Sequence, residues 1–174
     1  SSLMPVDPNP DYSENNMVNL DKFDYGFDDG GTAQMAIAYL ARWGGPVNES
    51  DDPYPNPDES PTSLAPVKHL QSAEFLYRTA ADNDSVKAAV MDYGACYTAF
   101  CWDSSNYNST TFAYYSNTQE SANHAVAIVG WDDAFPASSF TVQPPGDGAF
   151  LIKNSWGTEW GDKGYFWMSY HTVP

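Results

Sequence analysis

The chain has 174 residues, enough for one domain with a real core. Its 7 basic residues against 23 acidic ones leave a net charge of −16, which excludes nucleic acid and anionic membrane as partners. An apolar content of 42%, with 16% aromatics, specifies a folded globule, and no run reads as a membrane span or a signal peptide. The acidity reads as a solvated surface. No Asp-x-Asp-x-Asp-Gly loop appears, so neither a metal nor a cofactor is expected.

In chain order, residues 1–12 carry Pro5, Pro8 and Pro10 and read as extended coil. Ser1-Ser2-Leu3 reads as a processed end rather than a natural start. Ser13 caps a short helical turn that runs to Leu20. Gly26 to Gly31 is a turn-rich loop, and its Gly30-Gly31 pair suits a sharp turn or a close backbone approach. Thr32 caps a helix to Trp43, with Met35, Ala36, Tyr39, Leu40 and Trp43 on one stripe and Gly44-Gly45 as its stop. Pro46 to Pro66 holds six prolines and reads as a surface loop.

Val67 to Tyr77 reads as one or two strands, with His69 in a structural role. A short helix from Val86 to Tyr93 ends at Gly94, and Ala95 to Trp102 is an apolar strand. Asn106 to Asn117 is polar and Tyr-rich and reads as an exposed hairpin or loop. A long strand then starts at His124. Ala125, Ala127 and Val129 face one way; His124, Val126 and Ile128 face the other. After a connecting excursion from Ala134 to Pro145, Gly148 to Lys153 is a strand. Gly157 to Gly164 is a Gly/Trp loop, and Gly164 to Tyr170 closes the sheet, leaving His171 exposed near the end.

The chemistry concentrates in two stretches. His124 opens its strand, and Asn154 follows the run Ala149-Phe150-Leu151-Ile152-Lys153. A histidine base needs a partner on its far nitrogen to fix its tautomer, and an amide oxygen supplies one. Trp156 beside the pair would keep water off that bond. A base with an orienter calls for a nucleophile.

His124-Ala125-Val126-Ala127-Ile128-Val129-Gly130-Trp131, followed by Lys153-Asn154-Ser155-Trp156-Gly157, Trp160-Gly161 and Gly164-Tyr165-Phe166, resembles the C-terminal half of the papain-like cysteine peptidases. Trp131-Asp132-Asp133 and Pro144-Pro145-Gly146-Asp147-Gly148 are similar to prokaryotic, cell-surface members. The resemblance implies an α+β, papain-like two-lobe fold. Residues 1–66 would be a partial helical left lobe with its linking loop. Residues 67–174 would be an antiparallel, β-barrel-like right lobe carrying the histidine and asparagine, the two together forming one domain. It makes His124 the catalytic base, Asn154 its orienter and Trp156 their shield. It also assigns Gly30, Gly31, Thr32 and Ala33, with Ala122 and Asn123, to a cleft that pairs with an extended peptide through main-chain bonds. The implied partner is a peptide or protein substrate, and the implied location is extracellular or at the cell surface.

The nucleophile does not fit so simply. The family's cysteine lies in a Cys-Gly-Ser-Cys-Trp-like signature some 130–150 residues before the histidine and asparagine; that count reaches the first residues of this chain or beyond, and no cysteine is there. Cys101-Trp102 imitates the signature but sits in a strand context. Cys96 and Cys101 would lie about 16 Å apart along one strand, against about 4.4–6.8 Å for a disulfide. They are expected as buried free thiols, or paired with a cysteine on a missing segment. The expected function is a cysteine-type peptidase, acting through a thiol acyl-enzyme, whose nucleophile segment is missing from this chain, a separate N-terminal segment being one candidate source of it. A catalytically inactive relative that binds peptide or a surface partner is the alternative. Catalysis by Cys101 or Cys96 is the third reading.

Overall fold

A computed structural model describes residues 10–56, 59–76 and 82–173. The chain divides into two compact units, Ser1–Phe75 and Leu76–Pro174.

The first unit is built on two helices, α1 (Glu14–Leu20) and α2 (Ala33–Ala41). Both start where the sequence places their caps: Ser13 Oγ accepts from Asn16 N at 2.9 Å and Thr32 Oγ1 from Met35 N at 3.4 Å. At its far end α1 is closed by Arg42, whose guanidinium donates to the carbonyls of Leu20 and Asp21. Helix C-terminal carbonyls are unsatisfied acceptors at the negative end of the dipole, so a cation suits them.

The centre of this unit is polar. Asp52, 2% exposed, accepts from Asn15 Nδ2 and Asn16 Nδ2, each at 2.8 Å. Its backbone carbonyl accepts from Ser13 Oγ at 2.5 Å. Tyr39, 1% exposed, donates its hydroxyl to Asn16 Oδ1 at 2.6 Å and so links α2 to α1. The Pro-rich loop thus sends one buried carboxylate back under α1, rather than lying wholly on the surface.

The strand reading of Val67 to Tyr77 is corrected over residues 67–76, which form coil; Tyr77 lies outside the described residues. Val67 N donates to Pro46 O at 2.8 Å, and no ladder follows among the described residues. A strand exists only with a partner, and Phe75 and Leu76 stay exposed. His69 stacks on Trp43, ring centroids 4.2 Å apart.

The second unit begins with α3 (Asp84–Tyr93). Six strands follow: β1 (Cys96–Phe100), β2 (Tyr107–Asn108), β3 (Ala113–Tyr114), β4 (His124–Asp132), β5 (Ala149–Lys153) and β6 (Tyr165–Ser169). They form one sheet in the order β1-β4-β5-β6-β3-β2. Val126, Ile128, Phe150, Ile152, Phe166 and Met168 are buried in its core with Val86 of α3, as the alternation along β4 requires.

The sheet departs from the antiparallel, barrel-like lobe in two respects. It is open, and β3 runs parallel to β6. Phe112 takes a positive φ of 54° just before β3, and its carbonyl accepts from Trp167 N at 2.8 Å. That turn sets β3 alongside β6. Of the exposed hairpin or loop expected over Asn106 to Asn117, the hairpin is present, β2 pairing antiparallel with β3, but the exposure is corrected: Ala113 and Tyr114 are fully buried. Its tyrosines are core residues with polar tips; Tyr114 donates its hydroxyl to Cys101 O at 2.6 Å. His171 is half-buried rather than exposed.

A charged cluster ties α3 to one end of the sheet, where β4 and β6 both finish. Lys87 Nζ donates to Asp133 Oδ1 at 2.5 Å and lies 5.0 Å from the centroid of the Tyr170 ring; the Tyr170 hydroxyl donates to the same carboxylate at 2.8 Å. These bonds, from Lys87 first and Tyr170 second, hold the Asp133 carboxyl below its ordinary value. Burial, then the carboxylate, pushes the Tyr170 phenol up.

Two outcomes are expected from urea unfolding. Asp52→Ala leaves the Asn15 and Asn16 amides short of an acceptor and lowers stability by about 2–4 kcal/mol; a loss below about 1 kcal/mol would show that they find other partners. The depressed Asp133 carboxyl adds stability that is complete above its unfolded value and is lost as pH falls through the lower folded value. Asp133→Asn therefore unfolds more easily than the parent at neutral pH, and the difference fades in acid. A pH-independent difference would contradict this. Because Asp133 is largely exposed, the effect is small.

Candidate active site

The register of the sheet builds the site. Ala127 of β4 pairs with Lys153 of β5, so the start of β4 and the residue after β5 emerge at one end of the sheet. There His124 Nε2 meets Asn154 Oδ1 at 2.9 Å. Asn154 is 7% exposed and is anchored by its own N–H to Gly164 O at 2.9 Å.

The amide's orientation follows from a second bond. Ser155 N reaches the same Asn154 atom at 2.9 Å. A backbone N–H can only donate, so that atom is the oxygen, and His124 Nε2 must carry the proton it donates. The imidazole is thereby held in the Nε2–H tautomer with Nδ1 open for a proton. Asn154 Nδ2 is buried without an acceptor among the described residues, leaving one donor unmet beside the histidine.

Trp156 lies nearly flat over the imidazole, centroids 4.7 Å apart and planes 22° apart. It is 41% exposed: one face meets water, the other His124. Gly157, at a φ of 79°, turns the chain immediately afterwards, and Gly164 N returns to Trp160 O at 2.7 Å to close the loop. Phe100 approaches the same imidazole at 5.7 Å.

Ala122 and Asn123 are exposed just before His124. The Asn123 side chain, however, is already engaged: its Oδ1 accepts from Trp102 N at 2.7 Å and its Nδ2 donates to Trp102 O at 3.1 Å. The Asn123 backbone N–H is engaged as well, donating to Phe100 O at 3.1 Å. Gly30, Gly31 and Thr32 are exposed and Ala33 half-buried in the first unit. Gly30 has a φ of 78°, with nothing within 4 Å of where a Cβ would stand. Conformation, not crowding, is what requires glycine there.

Cys96 and Cys101 are both free and half-buried rather than fully buried. The Cys101 Sγ donates to Glu120 Oε2 at 3.5 Å. Burial first, and that carboxylate second, push its thiol up. Burial pushes up the Cys96 thiol as well. A nucleophilic thiol needs the opposite, a cation that stabilises the thiolate.

Sequence reasoning did not anticipate the Asn123 clamp or the position of Trp102. The available signal was Cys101-Trp102 itself: a tryptophan ending an apolar strand has to find aromatic company or remain exposed.

The chain matches the model of the papain family of cysteine proteases over residues 5–173. It is 30% identical to the thiol protease aleurain of Arabidopsis thaliana over 148 residues, covering 80% of this chain and 37% of aleurain. It is 28% identical to cathepsin K of Mus musculus over 161 residues, or 88% of this chain and 44% of that protein. Among solved structures it is similar to the cysteine protease and lectin-like domains of Cwp84, a surface layer associated protein of Clostridium difficile. The identity is 34% and the TM-score 0.79, over 94% of this chain and 39% of that one. The chain thus spans well under half the length of each of these relatives. With a family model matched along nearly its whole length, the chain belongs to the papain family of cysteine proteases.

Proposed function

We propose that the chain is the histidine-bearing part of a cysteine peptidase that hydrolyses peptide bonds through a thiol acyl-enzyme, the thiol coming from outside these 174 residues. The observation that carries the reading is the His124–Asn154 bond under Trp156, which fixes a base with Nδ1 free. Nδ1 accepts the thiol proton, and the thiolate forms an ion pair with the imidazolium. The thiolate attacks the substrate carbonyl; His124 returns the proton to the leaving amine; water, activated by the same nitrogen, releases the acid. Asn154 holds the ring through both proton transfers, and Trp156 keeps solvent from the bond between them.

The substrate is a peptide in extended form; within the first unit the proposed backbone partners are Gly30 and Gly31 with Thr32 and Ala33, and within the second unit Ala122 and Asn123 next to the base. The protein is secreted or held at the cell surface. The likeness to a surface-layer-associated relative and the strongly acidic composition support this placement.

The test uses the full-length gene product and an epoxide inhibitor directed at cysteine peptidases. The expected adduct lies on a cysteine outside the 174 residues, and His124→Ala lowers hydrolysis of a fluorogenic peptide by about 10²–10⁴-fold. An adduct on Cys101 or Cys96 would move the nucleophile into the sheet. A full-length protein that binds peptide without hydrolysis, and takes no adduct, would make it a binding module instead.

A further inference from the structure

We propose that Trp102 is a positioning residue for His124, acting through Trp156. The Trp102 indole meets Trp156 edge-on at 5.0 Å and 85°, and Trp160 at 5.8 Å and 69°. Its face stacks on Tyr114 at 5.1 Å, and its edge points to His124 at 6.4 Å. Together with Trp160, which packs on both Trp156 and Phe166, it connects the shield of the histidine to the buried core of the sheet.

Its placement is set by the histidine's own neighbour. The Asn123 amide grips the Trp102 backbone from both sides, N–H and carbonyl, as a strand residue would. A closed circuit results: His124 is bonded covalently to Asn123, Asn123 to the Trp102 backbone, the Trp102 ring to Trp156, and Trp156 to the His124 face. A shift of β4 carries the shield with it.

The circuit has a purpose that packing alone does not explain. Trp156 is 41% exposed, and an exposed indole swings between rotamers unless something holds its inner edge. Trp102 and Trp160 are the rings that do so. When the indole swings away, water reaches the His124 Nε2–H, competes for Asn154 Oδ1 and frees the ring to turn.

This inference deepens the peptidase reading and rests on it for its meaning, but its test needs no turnover. The ring proton on His124 Nε2 is followed by nitrogen–proton NMR in isotope-labelled chain, with the β4 backbone amides as the control for folding. Trp102→Leu keeps an apolar, though smaller, side chain and removes the ring edge. It speeds solvent exchange of the ring proton about tenfold, the worth of one edge-to-face aromatic pair, while β4 amide exchange is unchanged. Asn123→Ala does the same by freeing the Trp102 backbone, and Trp102→Phe restores most of the protection. Unchanged ring-proton exchange in a folded Trp102→Leu chain overturns the proposal. If Trp102→Leu loses β4 protection, Asn123→Ala and Trp102→Phe decide it on the same criterion. Should the ring-proton result hold while the full-length protein fails to hydrolyse peptides, the peptidase reading falls and the positioning role stands.

Discussion

The antiparallel register of β4 on β5 is the constraint on which the second unit depends. Ile128 opposite Ile152 buries both side chains, and the same register delivers His124 and Asn154 to one end of the sheet. A slip of one residue would turn every side chain of β4 to the other face, exposing Val126 and Ile128 and carrying His124 away from Asn154. Core burial and site geometry are therefore specified together. The register also shifts between Ile128 and Gly130, where Val129 is the extra residue. Such bulges re-aim the strand beyond them, and here the re-aimed part carries Trp131 and Asp132 toward the turn that holds Asp133.

The first unit is organised by a different kind of bond. Its two helices are short, and neither is stable alone. What joins them is a buried carboxylate shared by two asparagine amides, with a tyrosine hydroxyl completing the chain from α1 to α2. Polar networks of this kind specify one arrangement because any other leaves a buried group unmet. The helix-capping serine joins the network through the Asp52 carbonyl, so the start of α1 and the position of the loop are one decision.

Much of this was legible in the sequence. The caps at Ser13 and Thr32 and the alternation along β4 follow from local chemistry, while the pairing of His124 with Asn154, 30 residues away, was legible through the family resemblance. What was not legible depended on partners distant in sequence. Residues 67–76 have apolar content but no strand to pair with among the described residues. Tyr114 looks like a loop tyrosine until Cys101 O is found to accept its hydroxyl. Asp52 looks like one more acid in a Pro-rich loop, because nothing local reveals the two amides waiting for it. Trp102 was conspicuous, yet its role depends on Asn123, 21 residues away, which the resemblance assigns to a substrate cleft.

The scarcity of cations has a last consequence. Of the 7 basic residues, Arg42 closes a helix on neutral carbonyls, and Lys87 makes the ion pairs found among the described residues, with Asp133 and Asp84. The fold is carried by apolar packing and by bonds to uncharged groups, while 23 acids repel one another over the surface. Dissolved electrolyte screens that repulsion over roughly 10 Å at moderate ionic strength and has little attraction to weaken. The protein gains firmness in brine where a fold held by surface ion pairs would loosen.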